Sequence, residues 1–356
     1  MKETKDFYKY ELIKAADVLV RDMIKLKKDE TVVVTLDTES DYRVADAIAG
    51  VAHSVGGKPM VISVPAPLGS AKAADKYLPL EPFTAAITKT NVWVELNNRF
   101  LLYSTPYVCA VKENPNLRYV CFGGLNVDMM VRCVGRIKLE AQKAFQEKVA
   151  ERTRNSKTMR ITTVAGGDVT FKNNPKWPIT CEYGGADIPG SHMMPGQVGW
   201  APFFESINGT IVFDGSVSPL GLINVPIKLH VEKGNIIKIE GGEMAIEYEK
   251  HLKSFNDPQM FRMAHVCYGF NLGAKLSGNM LEDERVWGAI NWGIGDVGPT
   301  LVPEGIPAAS HSDGICLNSS VWLDGVQIMD KGQLLDPELK KLAEKLRKVE
   351  IKKEGG

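Results

Sequence analysis

Two histidines and one aspartate have the residue types and the spacing to bind a metal ion. His311 and Asp313 are separated by one residue, and His265 precedes them in an apolar stretch. On a β-strand, side chains at positions i and i+2 point to the same face, so this imidazole and carboxylate would lie side by side. With His265 on a neighbouring strand, two imidazole nitrogens and one carboxylate oxygen would cover one face of an octahedron. Such a set leaves the other positions open for a substrate and dioxygen, as in non-haem Fe(II) oxygenases.

The residues around the His-x-Asp pair bear on whether it binds a metal at all. A buried histidine beside an aspartate in a turn would give the same pattern, and composition alone favours that interpretation. The flanking segments, 308–310 and 314–317, are small or apolar, which is typical of a charged pair held inside a core. A buried carboxylate without a partner is costly, and a metal ion offsets that cost. The sequence context therefore favours a metal site.

Composition excludes several classes of protein. The 356 residues suit two domains, and 43 basic residues balance 43 acidic ones, which argues against nucleic acid or an anionic membrane as a partner. The six cysteines include no C-x-x-C pair and are predicted to be reduced core thiols in a cytoplasmic protein. Met1–Lys5 carries charges of both signs, so no signal peptide is predicted. No apolar run approaches the ~20 residues that a membrane-spanning helix needs.

The first part of the chain alternates between strand and helix patterns. Amphipathic helices are predicted at Glu11–Lys27 and Asp41–Val55. Short β-branched or apolar runs predict strands at Thr31–Leu36, Lys58–Val64, Asn91–Leu96 and Arg118–Phe122. Strands separated by helix-length segments imply a mostly parallel sheet. We therefore expect an α/β, Rossmann-like domain over residues 1–155.

From about residue 156 the chain changes character. A polar helix, Lys138–Arg154, is predicted to have little to bury on one side and to bridge the two domains. Short strands then follow one another, separated by glycine and proline, and the last of them carry His265 and the His311–Asp313 pair. A charged helix, Pro337–Lys348, closes the pattern. We expect a β-rich α+β metal-binding domain over residues 156–356.

Several segments resemble the catalytic domain of the aminopeptidase-T-like metallopeptidases. They are 264–271, 287–295 and 310–313, and Pro195–Gln197 matches a further element of the same frame. The resemblance is thin over the whole chain and strongest from about Glu182 to Asp313. It implies the fold of those peptidases, whose active sites bind two metal ions.

Three positions depart from the peptidase pattern. Gln197 and His265 stand where the resemblance implies glutamate ligands, and Asn291 stands where it implies a histidine. The candidate ligands that the chain does have, His265, His311 and Asp313, are similar to those of the 2,5-dihydroxypyridine 5,6-dioxygenase branch of this family. That branch implies a single Fe(II) and cleavage of a dihydroxylated aromatic ring by dioxygen.

Three further residues are candidates for proton transfer or substrate binding. Tyr103 stands in a Leu-Leu-Tyr-Ser element where the resemblance implies an acid/base histidine, and a phenol is a proton donor rather than a base near neutral pH. His192, in a segment that we interpret as a loop between Gly190 and Pro195, is the stronger candidate for proton transfer. Glu182, at the end of a predicted strand, could accept a hydrogen bond from a ring hydroxyl or N–H. Packing or solvation explains Tyr103 and Glu182 about as well. Glu243 and Glu284 are expected to have no part in metal binding.

The leading hypothesis is a mononuclear Fe(II) dioxygenase that binds a small aromatic substrate and dioxygen and forms a homo-oligomer. The runner-up is a metal-dependent aminopeptidase or amide hydrolase of the same fold, with Glu182 or His192 as its general base. A binding protein with a lapsed site is the third alternative, and the three retained ligands argue against it. The metal content separates these hypotheses. Bound iron would favour the dioxygenase, bound zinc or cobalt the hydrolase, and no bound metal the binding protein.

Overall fold

The computed structural model describes residues 8–347. The predictions on Met1–Lys5 and on Lys348 lie outside these residues. Among the helices of the described part of the chain, none is long and apolar enough to cross a membrane. The six cysteines, all within the described residues, form no disulfide bonds, and four of them are buried.

The helices and strands follow the sequence in this order. The helices are α1 (Lys9–Asp17), α2 (Tyr42–Ser54), α3 (Leu80–Thr88), α4 (Thr105–Glu113), α5 (Val127–Met129), α6 (Leu139–Asn155), α7 (Glu243–Ser254), α8 (Met280–Asp283) and α9 (Pro337–Arg347). The first eight strands are β1 (Thr31–Asp37), β2 (Lys58–Val64), β3 (Val92–Glu95), β4 (Arg118–Cys121), β5 (Thr158–Thr163), β6 (Asp168–Lys172), β7 (Ile179–Glu182) and β8 (Gly190–Met193). The remaining strands are β9 (Gln197–Trp200), β10 (Asn208–Phe213), β11 (Ser216–Val217), β12 (Gly221–Leu222), β13 (Ile227–Glu232), β14 (Asn235–Glu240), β15 (Met263–Gly269), β16 (Ile290–Val297), β17 (Ile306–Cys316), β18 (Ser319–Leu323), β19 (Val326–Asp330) and β20 (Gln333–Leu334). Short π-helical or 3₁₀ segments lie at Val18–Met23, Ala71–Tyr77, Met130–Val134, Phe204–Ser206 and Pro258–Phe261.

The chain divides into two compact units. Of the described residues, the first unit contains 8–139 and Glu182–Pro195, and the second contains Glu140–Cys181 and 196–347. This division differs from the predicted one, at residues 155 and 156, in two respects. Helix α6 belongs to the second unit, and a later segment of the chain returns to the first.

The first unit is built on a five-stranded sheet with the order β2-β1-β3-β4-β8. All its strand pairs are parallel, as predicted for an α/β domain. Strand β1 forms because a run of β-branched residues can be covered on both faces, and every residue from Val32 to Asp37 is buried. Helix α2 begins where the Asp41 carboxylate accepts the backbone N–H of Arg43, which caps the helix.

The second unit contains two large sheets with antiparallel strand pairs, as expected for a β-rich α+β domain. The eight-stranded sheet has the order β14-β13-β10-β6-β5-β18-β19-β20, and the seven-stranded sheet has the order β12-β11-β17-β16-β15-β9-β7. One apolar core in this unit includes Trp200, Phe213 and Trp292. The seven-stranded sheet carries the predicted metal ligands on strands β15 and β17.

Helix α6 is not the polar bridge that its sequence suggested. It buries Gln142, Phe145, Gln146, Val149, Ala150 and Thr153. The side chains of Phe145 and Val149 belong to the core of the second unit. The prediction of a bridge was wrong because two buried glutamines made the packed face look polar. Their amides donate to the backbone carbonyls of Phe270 and Gln197, which satisfies those carbonyls inside the core.

Candidate metal centre

Strand register places the three predicted ligands on one face of the seven-stranded sheet. Strand β16 lies between β15 and β17, and Gly293 of β16 pairs with His265 on one side and Asp313 on the other. His311 pairs with Gly295, two residues further along β16. Residues paired across antiparallel strands share a face, as do residues two apart on one strand. His265 was expected on the strand next to that of His311 and Asp313. Its strand, β15, is instead separated from β17 by β16, at Gly293 and Gly295.

The three side chains form a tight triangle of ligand atoms. The two Nε2 atoms of His265 and His311 are 3.1 Å apart. Asp313 Oδ1 is 3.4 Å from His265 Nε2, and Asp313 Oδ2 is 3.1 Å from His311 Nε2. Ligands at about 2.1 Å from a metal and at right angles to each other are about 3.0 Å apart, since 2.1 is multiplied by √2. The two nitrogens and the two oxygens of the Asp313 carboxylate therefore lie at the spacing of adjacent ligands in an octahedral coordination sphere.

This arrangement depends on Gly293 of β16, which lies between β15 and β17. A Cβ atom on Gly293 would lie 2.4 Å from His265 Nε2, so the imidazole occupies the space that any side chain would need. The pattern Asn291-Trp-Gly-Ile-Gly295 signals this in the sequence, since glycine inside a strand marks a close approach of other atoms. The glycine lets the His265 ring lie across β16 toward His311 and Asp313.

Hydrogen bonds orient both imidazoles. His311 Nδ1 lies 2.7 Å from the carbonyl oxygen of Asp296 on the neighbouring strand. A carbonyl oxygen only accepts, so Nδ1–H is the donor, and the neutral ring carries its lone pair on Nε2. His265 Nδ1 lies 3.4 Å from the Sγ atom of Cys267. Each ring thus turns Nε2 to the centre of the triangle, as in metal sites where a second partner fixes the ring.

The charges of the site favour a bound cation. Burial lowers the pKa of His265 to about 4, so this ring is neutral at neutral pH. Burial also acts to lower the pKa of His311, but the adjacent Asp313 carboxylate outweighs it and raises the pKa to about 9. Burial acts to raise the pKa of Asp313, but His311 and His265 hold it well below its usual range. The carboxylate thus requires a cation beside it, and a metal ion would displace the His311 proton.

Within residues 8–347, His265, His311 and Asp313 form the group of His, Cys, Asp or Glu side chains that could hold a metal ion, with ligand atoms within 4.8 Å of one another. His311 keeps 28% of its side chain exposed, whereas His265 and Asp313 keep 12% and 13%. The His265 and Asp313 side chains are therefore mostly buried, and the triangle is accessible to solvent beside His311.

Asn291 is hydrogen-bonded to the third candidate ligand, Asp313. Its Nδ2 donates to Asp313 Oδ1 over 3.0 Å. Its carbonyl oxygen, Oδ1, is buried and has no hydrogen-bond partner among the described residues. In the sequence, Asn291 is only a departure from the peptidase pattern, and no role was predicted for it.

A buried charge pair lies near the triangle and was not foreseen. Glu284 Oε2 accepts hydrogen bonds from Arg285 at 2.7 Å and from Gln197 Nε2 at 2.9 Å, and Arg285 also donates to Gln197 Oε1. Burial, followed by the charge of Asp313, raises the pKa of Glu284 to about 7. The charge of Asp313 thus acts on Glu284, although Glu284 is not one of the three residues of the triangle, and the expectation that it has no part in metal binding stays a prediction. In the sequence, the acidic run Glu282–Glu284 is typical of a solvated surface. In the structure this segment is mostly buried, and the neighbouring Arg285 keeps only 1% of its side chain exposed.

The other three predicted site residues lie in the segments of the first unit. Tyr103 is 53% exposed, adopts a left-handed backbone conformation with φ 68°, and packs edge-on against Tyr107. His192 lies on β8, not in a loop, and its Nε2–H donates to the carbonyl oxygen of Ile188 over 2.8 Å. The loop interpretation was wrong because a four-residue edge strand flanked by glycine and proline carries no periodic signal. Glu182 Oε2 accepts the backbone N–H of Met193, one residue after His192.

Comparisons with known proteins agree with these observations. A family model described as 2,5-dihydroxypyridine 5,6-dioxygenase matches residues 16–336. The chain is 27% identical over 202 residues to the 2,5-dihydroxypyridine 5,6-dioxygenase of Pseudomonas putida strain KT2440, and the match covers 52% of this chain and 56% of that relative. The chain thus spans little more than half the length of this relative.

Two solved structures show the same fold. The 2,5-dihydroxypyridine dioxygenase of Pseudomonas putida KT2440 superposes with a TM-score of 0.74 at 20% identity, covering 92% of this chain and 98% of that one. Wild-type AmpT from Thermus thermophilus superposes with a TM-score of 0.65 at 16% identity, covering 92% and 100%. The predicted fold, including its likeness to aminopeptidase T, is confirmed.

Proposed function

Because the chain belongs to the 2,5-dihydroxypyridine 5,6-dioxygenase family, we propose that it is a mononuclear non-haem Fe(II) dioxygenase that opens a dihydroxylated aromatic ring. The proposed substrates are dioxygen and 2,5-dihydroxypyridine or a closely related ring. The observation that carries the proposal is the triangle of His265 Nε2, His311 Nε2 and the Asp313 carboxylate. A set of two imidazoles and one carboxylate with open positions is the ligand set of Fe(II) oxygenases.

His265, His311 and Asp313 are the residues that would hold Fe(II). When bound, Fe(II) supplies unpaired electrons and adjacent open positions, which allow triplet dioxygen to react with a singlet ring. The protein keeps its own part of the site fixed before any substrate arrives. The Asp296 carbonyl fixes the His311 ring, Gly293 leaves room for the His265 ring, and burial keeps His265 neutral. Such prior ordering lowers the cost of aligning the reactants.

We propose that His192, Tyr103 and Glu182 act on protons and hydrogen bonds of the ring. Because His192 Nε2–H donates to the Ile188 carbonyl, the neutral ring carries its lone pair on Nδ1. Nδ1 would accept the proton that a ring hydroxyl loses on binding. The Tyr103 hydroxyl would donate to an oxygen of the ring or product. Glu182, held by the Met193 N–H, would accept a hydrogen bond from a ring hydroxyl or N–H.

Peptidase chemistry is less well supported. The likeness to AmpT concerns the fold alone at 16% identity. Gln197 and Asn291, at two positions of the peptidase ligand pattern, are amides that bond Glu284 and Asp313. Among the described residues, only the triangle has metal-ligand spacing. A hydrolase would therefore work with one metal ion and a base such as Glu182 or His192.

Oxygen uptake after anaerobic reconstitution tests the proposal. The protein is loaded with Fe(II) without oxygen, then mixed with aerated dihydroxypyridines and hydroquinones while oxygen and ring absorbance are followed. We expect one dioxygen consumed per ring lost, with Fe(II) and not with Zn(II). Amide hydrolysis with Zn(II) or Co(II), with no oxygen uptake on any ring, would favour the hydrolase instead.

Two variants control this experiment. Asp313→Asn should lose iron and oxygen uptake together. Glu243→Gln, at the exposed first turn of α7, should keep both. Homo-oligomerisation remains our proposal from the sequence, and light scattering in solution would test it as a mass above that of one chain.

A further inference from the structure

The side chain of Asn291 is only half satisfied by the protein. Asn291 is 1% exposed and lies in β16 between Ile290 and Trp292, which are 0% and 1% exposed. Its Nδ2 donates to Asp313 Oδ1, whereas its Oδ1 has no donor among the described residues. The assignment of the two amide atoms is fixed by chemistry, because a carboxylate oxygen only accepts and must face the NH₂ group.

The unpaired oxygen lies beside the ligand triangle. In an amide, oxygen and nitrogen are about 2.2 Å apart, given C=O and C–N bonds of about 1.23 and 1.33 Å. Since Nδ2 is 3.0 Å from Asp313 Oδ1, Asn291 Oδ1 is within about 5.2 Å of a predicted metal ligand. Asn291 is also two residues from Gly293 on the same strand, so both face the metal centre.

A buried acceptor without a donor is unusual in a folded protein. Most buried side-chain oxygens are paired, and one that is not destabilises the fold. Asparagine is also disfavoured within strands, where an apolar residue of similar size, such as leucine, would pack without this defect. The amide nitrogen alone is needed to hold Asp313. The orphaned oxygen therefore points to a donor that a ligand brings.

We propose that Asn291 is a specificity-determining residue whose carbonyl oxygen accepts a hydrogen bond from an N–H or O–H group of the ring bound at the metal centre. The inference rests on the proposed function for the nature of the ring. In its lactam tautomer, 2,5-dihydroxypyridine has a ring N–H, whereas hydroquinone has a C–H in the same place and keeps both oxygens. The lactam therefore donates from its ring N–H and its 5-hydroxyl and carries a carbonyl oxygen at C2, whereas hydroquinone donates from two hydroxyls. The ring N–H is the donor that hydroquinone lacks.

Calorimetric titration without oxygen tests the proposal independently of catalysis. Each ring is titrated into protein saturated with Fe(II), and again with Zn(II), so that the result does not depend on oxygenase activity. We expect Asn291→Leu to weaken binding of 2,5-dihydroxypyridine about tenfold to a hundredfold, as befits one lost buried hydrogen bond. Unchanged hydroquinone binding would identify the ring N–H as the donor. Equal weakening of both rings would identify a shared hydroxyl.

Asn291→Asp is the conservative variant that keeps an oxygen at this position. Because two adjacent buried carboxyl groups share a proton, the new carboxyl can still donate to Asp313, and it should retain ring affinity within about threefold of wild type. Equal losses in Asn291→Asp and Asn291→Leu would overturn the proposal, since an oxygen at this position would then not contribute to ring binding. Unchanged binding in Asn291→Leu would also overturn it. If Asn291→Leu fails to fold, Asn291→Ala takes its place with the same expected loss.

Gln146→Met is the matched control. Gln146 is fully buried, and its Oε1 also lacks a donor in the described part of the chain, but its amide donates to a backbone carbonyl and not to a metal ligand. Its replacement should leave both ring affinities within about threefold of wild type. The proposed dioxygenase function and the proposed role of Asn291 can be refuted independently. Absence of oxygen uptake by wild type would remove the dioxygenase proposal while the ring titrations still decide the role of Asn291.

Discussion

Replacing Gly293 with alanine should disable the metal centre without touching a ligand. The new Cβ would lie 2.4 Å from His265 Nε2, whereas ordinary contacts begin at 3.4 Å. The imidazole must therefore move by about 1 Å, the difference of these distances. A metal ligand tolerates a displacement of only about 0.2 Å. We expect metal affinity to fall about a hundredfold or more, and the free energy of unfolding to fall by about 1–3 kcal/mol from overpacking.

Competition against a chelating indicator would measure the metal affinity, and chemical denaturation would measure stability. Gly50→Ala is the matched control, because Gly50 lies within α2 and a Cβ there meets nothing within 4 Å. It should stabilise the protein by about 0.5–1 kcal/mol and leave metal affinity unchanged.

A double variant makes the reasoning refutable. If Gly293→Ala acts through the imidazole, adding it to His265→Ala should weaken metal binding no further, because the clashing ring is gone. Additive losses would mean that the alanine acts by another route. Wild-type affinity in Gly293→Ala would mean that His265 does not bind the metal from its position across β16.

Three further predictions concern the ligands, the proton-transfer residues and a buried acid of the first unit. His265→Ala, His311→Ala and Asp313→Ala should each lose stoichiometric metal but keep cooperative unfolding, and full metal content in any one of them would show a misassigned ligand. Tyr103→Phe and His192→Ala should lower kcat roughly 10²–10⁴-fold with iron still bound, and a wild-type kcat for Tyr103→Phe would reduce that residue to packing against Tyr107. Burial raises the pKa of Glu95 from 4.5 to about 7, so the folded chain holds a proton that the unfolded chain releases between these pH values. Stability should therefore fall by about 3 kcal/mol as pH rises through this window, and denaturation of Glu95→Gln should lack that fall.

The sequence predicted most of the fold because its patterns are local. Lys58–Val64 was predicted to the residue, since an apolar, β-branched run bounded by turn residues defines a strand by itself. The return of 182–195 to the first unit was not predictable, because β8 is stabilised by pairing with the distant β4. Long-range pairing of this kind leaves no periodic trace in four residues.

The proximity of His311 and Asp313 was predictable from the sequence, and the residues that surround the triangle were not. His311 and Asp313 share a strand, so their spacing alone places them on one face. Glu284 and Arg285 become buried only because tertiary packing covers them, and in the sequence they resemble surface charges. The hydrogen bond from Asn291 to Asp313 crosses between strands, and only the register of β16 against β17 reveals it.

Two amides support the proposal of one metal ion in place of two. Gln197 and Asn291 stand where the resemblance to peptidases implies an anionic and an imidazole ligand, and each donates to a carboxylate instead. The carboxylate beside Gln197, Glu284, is already paired with Arg285, and its raised pKa makes it a weak source of negative charge at neutral pH. Asp313 is then the fully ionised carboxylate of the centre. One anion with two neutral imidazoles suits one divalent ion, and a second would lack charge compensation.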